Sequence, residues 1–171
     1  MFLSLAVILV PVLLIVWFFT RTPDEPNIQK VDWKPMVASA RAHAGYPVLA
    51  PKETPEEWRP TKARYADKGD RWVGKTVSAG NRWELGFLTS EDIYLAVNQS
   101  NEPAKAFVAS VTRSAAADGK IKAGQYTWTK MVSPDGRTRA LVTKIESSTA
   151  VIVADADYRV LTDYAGMLTT S

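Results

Sequence analysis

The sequence predicts an α+β fold. One domain with an antiparallel sheet of about six strands, packed by helices on one face, follows an N-terminal transmembrane helix in the order α-βββ-α-βββ-α. Three observations predict it. Residues 1–20 carry no charged side chain. Six later segments alternate apolar and polar residues with period two, and short turn-forming stretches join several of them. Three other segments have helical spacing with suitable residues at their ends. Strands joined by short turns pair antiparallel, and an antiparallel sheet packed by helices is the α+β architecture.

The uncharged run from Met1 to Thr20 is the expected anchor. At about 1.5 Å per residue it spans about 30 Å, the hydrocarbon thickness of a bilayer. A cleavable secretory signal would have a basic start, a shorter apolar run and small residues at the cut. Here the run ends Trp17-Phe18-Phe19-Thr20-Arg21. Those aromatics suit the membrane interface, and Arg21 can snorkel. Pro11 lies mid-span, where it can kink the helix. Charge alone sets the orientation weakly the wrong way for an external domain, because Arg21 and Lys30 follow the span and only the α-amino group precedes it.

Residues 21–31 are polar with two prolines and read as an extended tether. The domain then covers 32–171. A helix is expected from Asp32 to Ala44, capped by Asp32, with Pro35 in its first turn and Gly45 ending it. Tyr46–Pro51 is extended and apolar, and Lys52–Pro60 is a charged loop. Strands follow at Thr61–Ala66, Asn81–Thr89 and Ile93–Gln99, the last two joined by Ser90-Glu91-Asp92. A short helix is expected over Pro103–Val111, with Ser100 or Asn101 near its cap. Ser114–Gly124, small and polar, reads as a loop. Strands Gln125–Ser133 and Thr138–Ile145 flank Ser133-Pro-Asp-Gly136, where Pro fits the second position of a turn and Gly tolerates positive φ. Thr149–Ala154 is the sixth strand. Asp155 or Asp157 caps a final helix to Leu168, with Val160, Leu161, Tyr164, Met167 and Leu168 on one stripe.

Composition removes several chemistries. The chain has 171 residues and no cysteine, so disulfides, thiolate ligands and a cysteine nucleophile are absent. Its 21 basic and 18 acidic residues leave a net charge of +3, spread along the chain rather than clustered as in a nucleic-acid binder. Gly69-Asp-Arg-Trp-Val-Gly-Lys75-Thr76 matches the phosphate-binding loop pattern letter for letter. Such a loop needs a following helix, whereas Val77-Ser-Ala-Gly80 leads into a strand. It reads as a glycine-containing surface loop, with no nucleotide. His43 is the only histidine, with no second ligand at helical spacing, so neither a metal site nor a Ser–His pair can be assembled from pattern. No carboxylate pair is marked out as acid and base. No catalytic, cofactor or metal residue is therefore assigned.

Five tryptophans follow the anchor. Trp83 and Trp128 lie on strands and are expected in the core. Trp33, Trp58 and Trp72 lie at a helix start or in loops. With Arg59 beside Trp58, they are the candidate contact residues, since tryptophan and arginine make strong recognition surfaces.

Several of these segments together resemble a known family. Pro47-Val-Leu-Ala-Pro51, a charged loop, then Trp58-Arg-Pro-Thr61 resembles the opening of actinobacterial membrane proteins in the domain-of-unknown-function family 4245. Trp83-Glu-Leu-Gly-Phe-Leu-Thr89, the strand from Tyr94 to Gln99-Ser100, Asp135-Gly-Arg137 with Arg139-Ala-Leu-Val142, and the anchor segment Val7–Val16 resemble its later motifs. The resemblance implies a cytoplasmic N-terminus and a domain outside the membrane, and implies no catalytic residue set. The family's usual basic lead before the span is missing here. The expected function is thus a single-pass, membrane-anchored, extracytoplasmic accessory or interaction module, not an enzyme. It would contact the lipid bilayer through residues 1–20 and other membrane proteins through its domain, as a small subunit of a larger complex. The alternative is an envelope binder of polysaccharide or lipid.

Overall fold

The computed structural model describes Val12, Val16, Trp17 and residues 32–171. The expected anchor (1–20, those three residues apart) and tether (21–31) lie outside the described residues. Among the described residues no helix is long and apolar enough to cross a membrane.

Helix α1 (Lys34–His43) starts as its sequence predicts in part. Pro35 occupies its first turn, and the Asp32 carboxylate accepts the Lys34 N–H at 3.3 Å. The cap position itself is Trp33, without a side-chain bond, and Gly45 closes the helix at φ +69°. Val37 and Ala40 are buried. The chain then runs beneath a sheet and forms the short strand β1 (Ala50–Pro51). The remaining elements are β2 (Arg59–Ala66), β3 (Arg71–Val73), β4 (Thr76–Val77), β5 (Arg82–Leu88), β6 (Tyr94–Ser100), α2 (Ala104–Thr112), β7 (Ala116–Ala123), β8 (Tyr126–Val132), β9 (Arg139–Ile145), β10 (Ser148–Ala154), α3 (Tyr158–Met167) and β11 (Leu168–Thr169).

The main sheet has seven antiparallel strands in the order β2-β5-β6-β10-β9-β8-β7. Six were expected. The added strand is β7, which occupies the segment read as a loop. It is an edge strand, exposed along most of its length, with its register shifted between Ala117 and Lys120. A strand that buries neither face needs no alternation, so the period-two signal is missing. Two further pairs form beside the sheet: β3 with β4, and β1 with β11.

The helices occupy both faces rather than one. Successive residues on a strand point to opposite faces, and β10 shows the division. Ile152 joins Trp83, Leu85, Phe87, Leu95, Val97, Leu141, Leu161 and Tyr164 in the larger core, beneath α1 and α3. Val151 and Val153 pack instead with Phe107, Val108 and Val111 of α2 in a second, smaller core. Burying a large apolar side chain stabilises by about 1.5–3 kcal/mol, so the first core dominates. Trp83 and Trp128 are both fully buried in it. On α3, Leu161 and Tyr164 are buried along the expected stripe.

The cap positions of α2 and α3 carry no side-chain bond, and only that of α3 holds an expected residue. The residue at the α2 cap position is Pro103, while Ser100 Oγ accepts the Glu102 N–H and Asn101 Oδ1 accepts the Asn81 N–H. Asp157 sits at the α3 cap position without a side-chain bond, and Asp155 accepts the Thr138 hydroxyl at 2.5 Å instead. The Ser133–Gly136 turn forms as read, with the Gly136 N–H donating to the Ser133 carbonyl at 2.9 Å and φ +71° at Gly136.

Candidate functional site

The second face of the sheet is only partly covered. One row of paired residues crosses all seven strands there: Arg64, Glu84, Asn98, Val151, Val142, Thr129 and Lys120. It is polar at the β2 end, apolar in the middle and basic at the β7 end. Helix α2 lies over the apolar middle, because Phe107 and Val108 need the cover of Val151 and Val142. A cleft is left on one side of α2 and a groove on the other.

The cleft, about 550 Å³, is bounded by α2 and by the β3–β4 hairpin. That hairpin is the segment matching the phosphate-loop pattern. It turns back as a strand at Thr76–Val77, so no helix N-terminus faces the glycines. Its Trp72 ring lies 4.5 Å from the Arg64 guanidinium and 4.7 Å from that of Arg82. Arg82 also lies 5.2 Å from the Phe107 ring. Two aromatic faces around one guanidinium replace part of its lost hydration. Burial still pulls the Arg82 pKa below its ordinary value, against the opposing charges of Glu102 and Glu84. The Glu102 carboxylate is 3.6 Å from Arg82, too far for a hydrogen bond. Arg82 Nε and Glu102 Oε1 have no hydrogen-bond partner among the described residues.

Glu84 is the anchor of the cleft floor, its side chain only 9 % exposed. Its Oε2 accepts from Arg64 Nε at 2.8 Å and from Arg64 Nη2 at 2.6 Å. Its Oε1 lies 3.2 Å from Lys62 Nζ and accepts the Tyr94 hydroxyl at 3.2 Å. The Tyr94 phenol is pushed up by burial first and by the Glu84 charge second. Its ring lies directly over Gly86, where any side chain would collide with it. The other carboxylates of the cleft are also paired: Asp92 with Arg59 at 2.9 Å, and Asp155 with Arg113 at 3.9 Å and the Thr138 hydroxyl. The cleft therefore offers an aromatic ring, cations and amide groups for recognition. Each carboxylate that lines it has a partner among the described residues.

The four expected contact residues do not share this site. Trp33 and Trp58 pack against Phe87, each with ring centroids 6.0 Å away, and Trp58 reaches Tyr164 at 5.8 Å. They lie half-buried on the larger core. Arg59 is held by Asp92 at the rim of the cleft. Only Trp72 belongs to the cleft proper. His43 lies exposed on α1, its Nδ1 2.8 Å from the Ser39 carbonyl. Reading from sequence missed Arg64, Arg82, Glu84 and Tyr94. The signal was present in their alternation with Ala63, Tyr65, Trp83 and Leu95, which puts them on the face opposite the core.

Compared with known sequences, residues 1–168 match the family described as protein of unknown function DUF4245. The chain belongs to the DUF4245 family. No curated protein matches it. Among solved structures, this DUF4245 domain is similar to a chain in the complex structure of Pseudomonas aeruginosa MucA/MucB, with a TM-score of 0.36 and 10 % sequence identity. That alignment covers 71 % of this chain and spans 34 % of the other, about a third of its length.

Three of the motifs on which the family resemblance rests, those holding Pro47–Pro51, Trp83 and Gln99, meet in space. The Gln99 side chain bonds Pro47 and Leu49, and the Trp83 indole N–H donates to the Leu49 carbonyl at 2.9 Å. What these DUF4245 motifs build is the seat of the Tyr46–Pro51 segment.

Proposed function

We propose that this protein is a membrane-anchored accessory module whose domain, held outside the cytoplasm, docks a partner membrane protein at the Trp72 cleft and catalyses no reaction. One observation carries this reading. The cleft is built for recognition, yet each of its carboxylates is already held by a cation or a hydroxyl. The hairpin that forms its lip supports docking, because Val73 and Val77 are 49 % and 59 % exposed beside Arg71 and Lys75. Scattered exposed apolar residues are ordinary, but two on one short hairpin beside a half-buried tryptophan make a contact surface. The family match includes residues 1–20 along with the domain, which supports an anchor that belongs to the working protein.

Photo-crosslinking in native membranes tests the reading. A crosslinker at Val73 or Val77 of the full chain should give one discrete adduct with an integral membrane protein, and Trp72→Ala should abolish it. A crosslinker at Gln125, far along the chain, should give none. Equal adducts from all three positions, or none from the hairpin, would overturn the proposal. Protease added to intact spheroplasts should digest the domain; full protection would reverse the orientation.

A further inference from the structure

On the other side of α2 the sheet carries a different surface. A groove of about 810 Å³ runs between α2 and strands β8 and β9. Its lining is mainly apolar, with Val108 and Ala109 on the helix and Met131 and Val142 on the sheet. Val108, Met131 and Val142 belong to the smaller core and remain partly exposed among the described residues. Three lysines stand around it: Lys105 on α2, Lys120 on β7 and Lys144 on β9. None of the three forms an ion pair among the described residues, whereas Lys62 and Lys130 do. No carboxylate lines the groove. Helix α2 also begins there, at Ala104 and Lys105, with no acidic residue in its first turn and no side-chain cap. Its amide dipoles therefore add to the positive field.

An apolar trough within the size range of ligand sites, ringed by unpaired cations, is complementary to an apolar chain with an anionic head. We infer that this groove binds one acyl chain of an acidic phospholipid, with the phosphate drawn to Lys105, Lys120 and Lys144. A neutral lipid would leave the lysines unanswered, and a free phosphate would leave the trough wet. The site is separate from the Trp72 cleft, and its occupancy does not depend on any docked partner.

The test is native mass spectrometry of the full chain in non-ionic detergent, titrated with phosphatidylglycerol, phosphatidylcholine or glycerol phosphate. Phosphatidylglycerol should add one molecule per chain, and phosphatidylcholine should bind about tenfold more weakly. Glycerol phosphate should not compete. The triple variant Lys105→Gln/Lys120→Gln/Lys144→Gln should weaken phosphatidylglycerol about tenfold or more. The equally charged control Lys52→Gln/Lys68→Gln/Lys75→Gln should not. Ala109→Trp, which fills the trough and keeps every charge, should abolish the adduct. Adducts that persist in both groove variants belong to the N-terminal apolar run and overturn the assignment. So does equal binding of the two lipids, or displacement by glycerol phosphate. Thermal melts of each variant confirm folding. Loss of crosslinking at the hairpin with lipid binding intact would sink only the docking proposal.

Discussion

The Gln99 side-chain oxygen accepts the Leu49 backbone N–H at 2.9 Å, across 50 residues of sequence. The same side chain donates to the Pro47 carbonyl at 2.7 Å and to the Ser148 hydroxyl at 2.9 Å. It is fully buried. One amide thus satisfies the backbone of a segment that has no strand partner at those positions. Gln99→Leu strands several buried polar groups and is expected to cost about 2–3 kcal/mol. Urea denaturation followed by circular dichroism measures this; a loss under about 0.5 kcal/mol would show that the segment is held by its apolar side chains alone.

Charge pairs on this domain should differ sharply in worth. Glu84 is buried beneath Arg64 and Lys62, and Glu84→Gln leaves those cations without their counter-charge. A loss of about 3 kcal/mol is expected. Asp163→Asn breaks only the exposed pair with Arg159 at 4.0 Å and should stay within about 0.5 kcal/mol. The two variants compared in one denaturation series decide it, and similar effects would refute the claim that Glu84 organises the cleft floor.

Tryptophan truncation separates structure from contact. Trp58→Ala removes a ring wedged against Phe87 and Tyr164 and should cost about 2–3 kcal/mol. Trp72→Ala removes a ring whose neighbours include two guanidiniums and should cost about 1 kcal/mol. A larger loss at Trp72 than at Trp58 would reverse the roles assigned to them.

Alkaline pH should unfold the domain through its tyrosines. Burial is the first cause raising the Tyr46, Tyr94 and Tyr164 phenols above their ordinary value of 10.0. A pKa raised by folding gives stability that is complete below the unfolded value and is lost as pH climbs toward the folded one. The urea midpoint should be level from about pH 7 to 9 and fall above about pH 10. The Tyr164 hydroxyl, buried with no hydrogen-bond partner among the described residues, makes a sharper case. Tyr164→Phe should raise stability at neutral pH by about 1 kcal/mol and flatten the alkaline fall. A destabilised Tyr164→Phe would mean that the hydroxyl is hydrogen-bonded in solution.

Most of the sheet could be read from sequence because its central strands are buried on at least one face. Trp83, Leu85 and Phe87 on β5 point one way while Arg82, Glu84 and Gly86 point the other, and that alternation is visible without coordinates. Strand β7 was not legible, since an exposed edge imposes no pattern on Asp118, Gly119 and Lys120. The cleft was not legible for another reason. Alternation puts Arg64 and Glu84 on the polar faces of their strands, but only the β2–β5 register, with its shift after Pro60, brings them opposite each other. The placement of α2 on the far face also depended on register rather than periodicity, because its apolar stripe fits either side of the sheet. Trp33 and Trp58 lean half-buried onto the core, a placement that depends on tertiary packing and leaves no mark in the local sequence.

The pairing of β1 with β11 sets Pro51 opposite Leu168 and Ala50 opposite Thr169, and Arg41 on α1 reaches the Thr169 carbonyl at 3.4 Å. Both ends of the domain are therefore gathered on one side of the molecule. Force applied along the chain at Ala50 and Thr169 would pull β1 and β11 apart like a zip, one paired residue at a time. A short linker from Ser171 to Asp32 would close the domain into a ring, and new termini could then be opened at the exposed Pro134–Arg137 turn while leaving the sheet order intact.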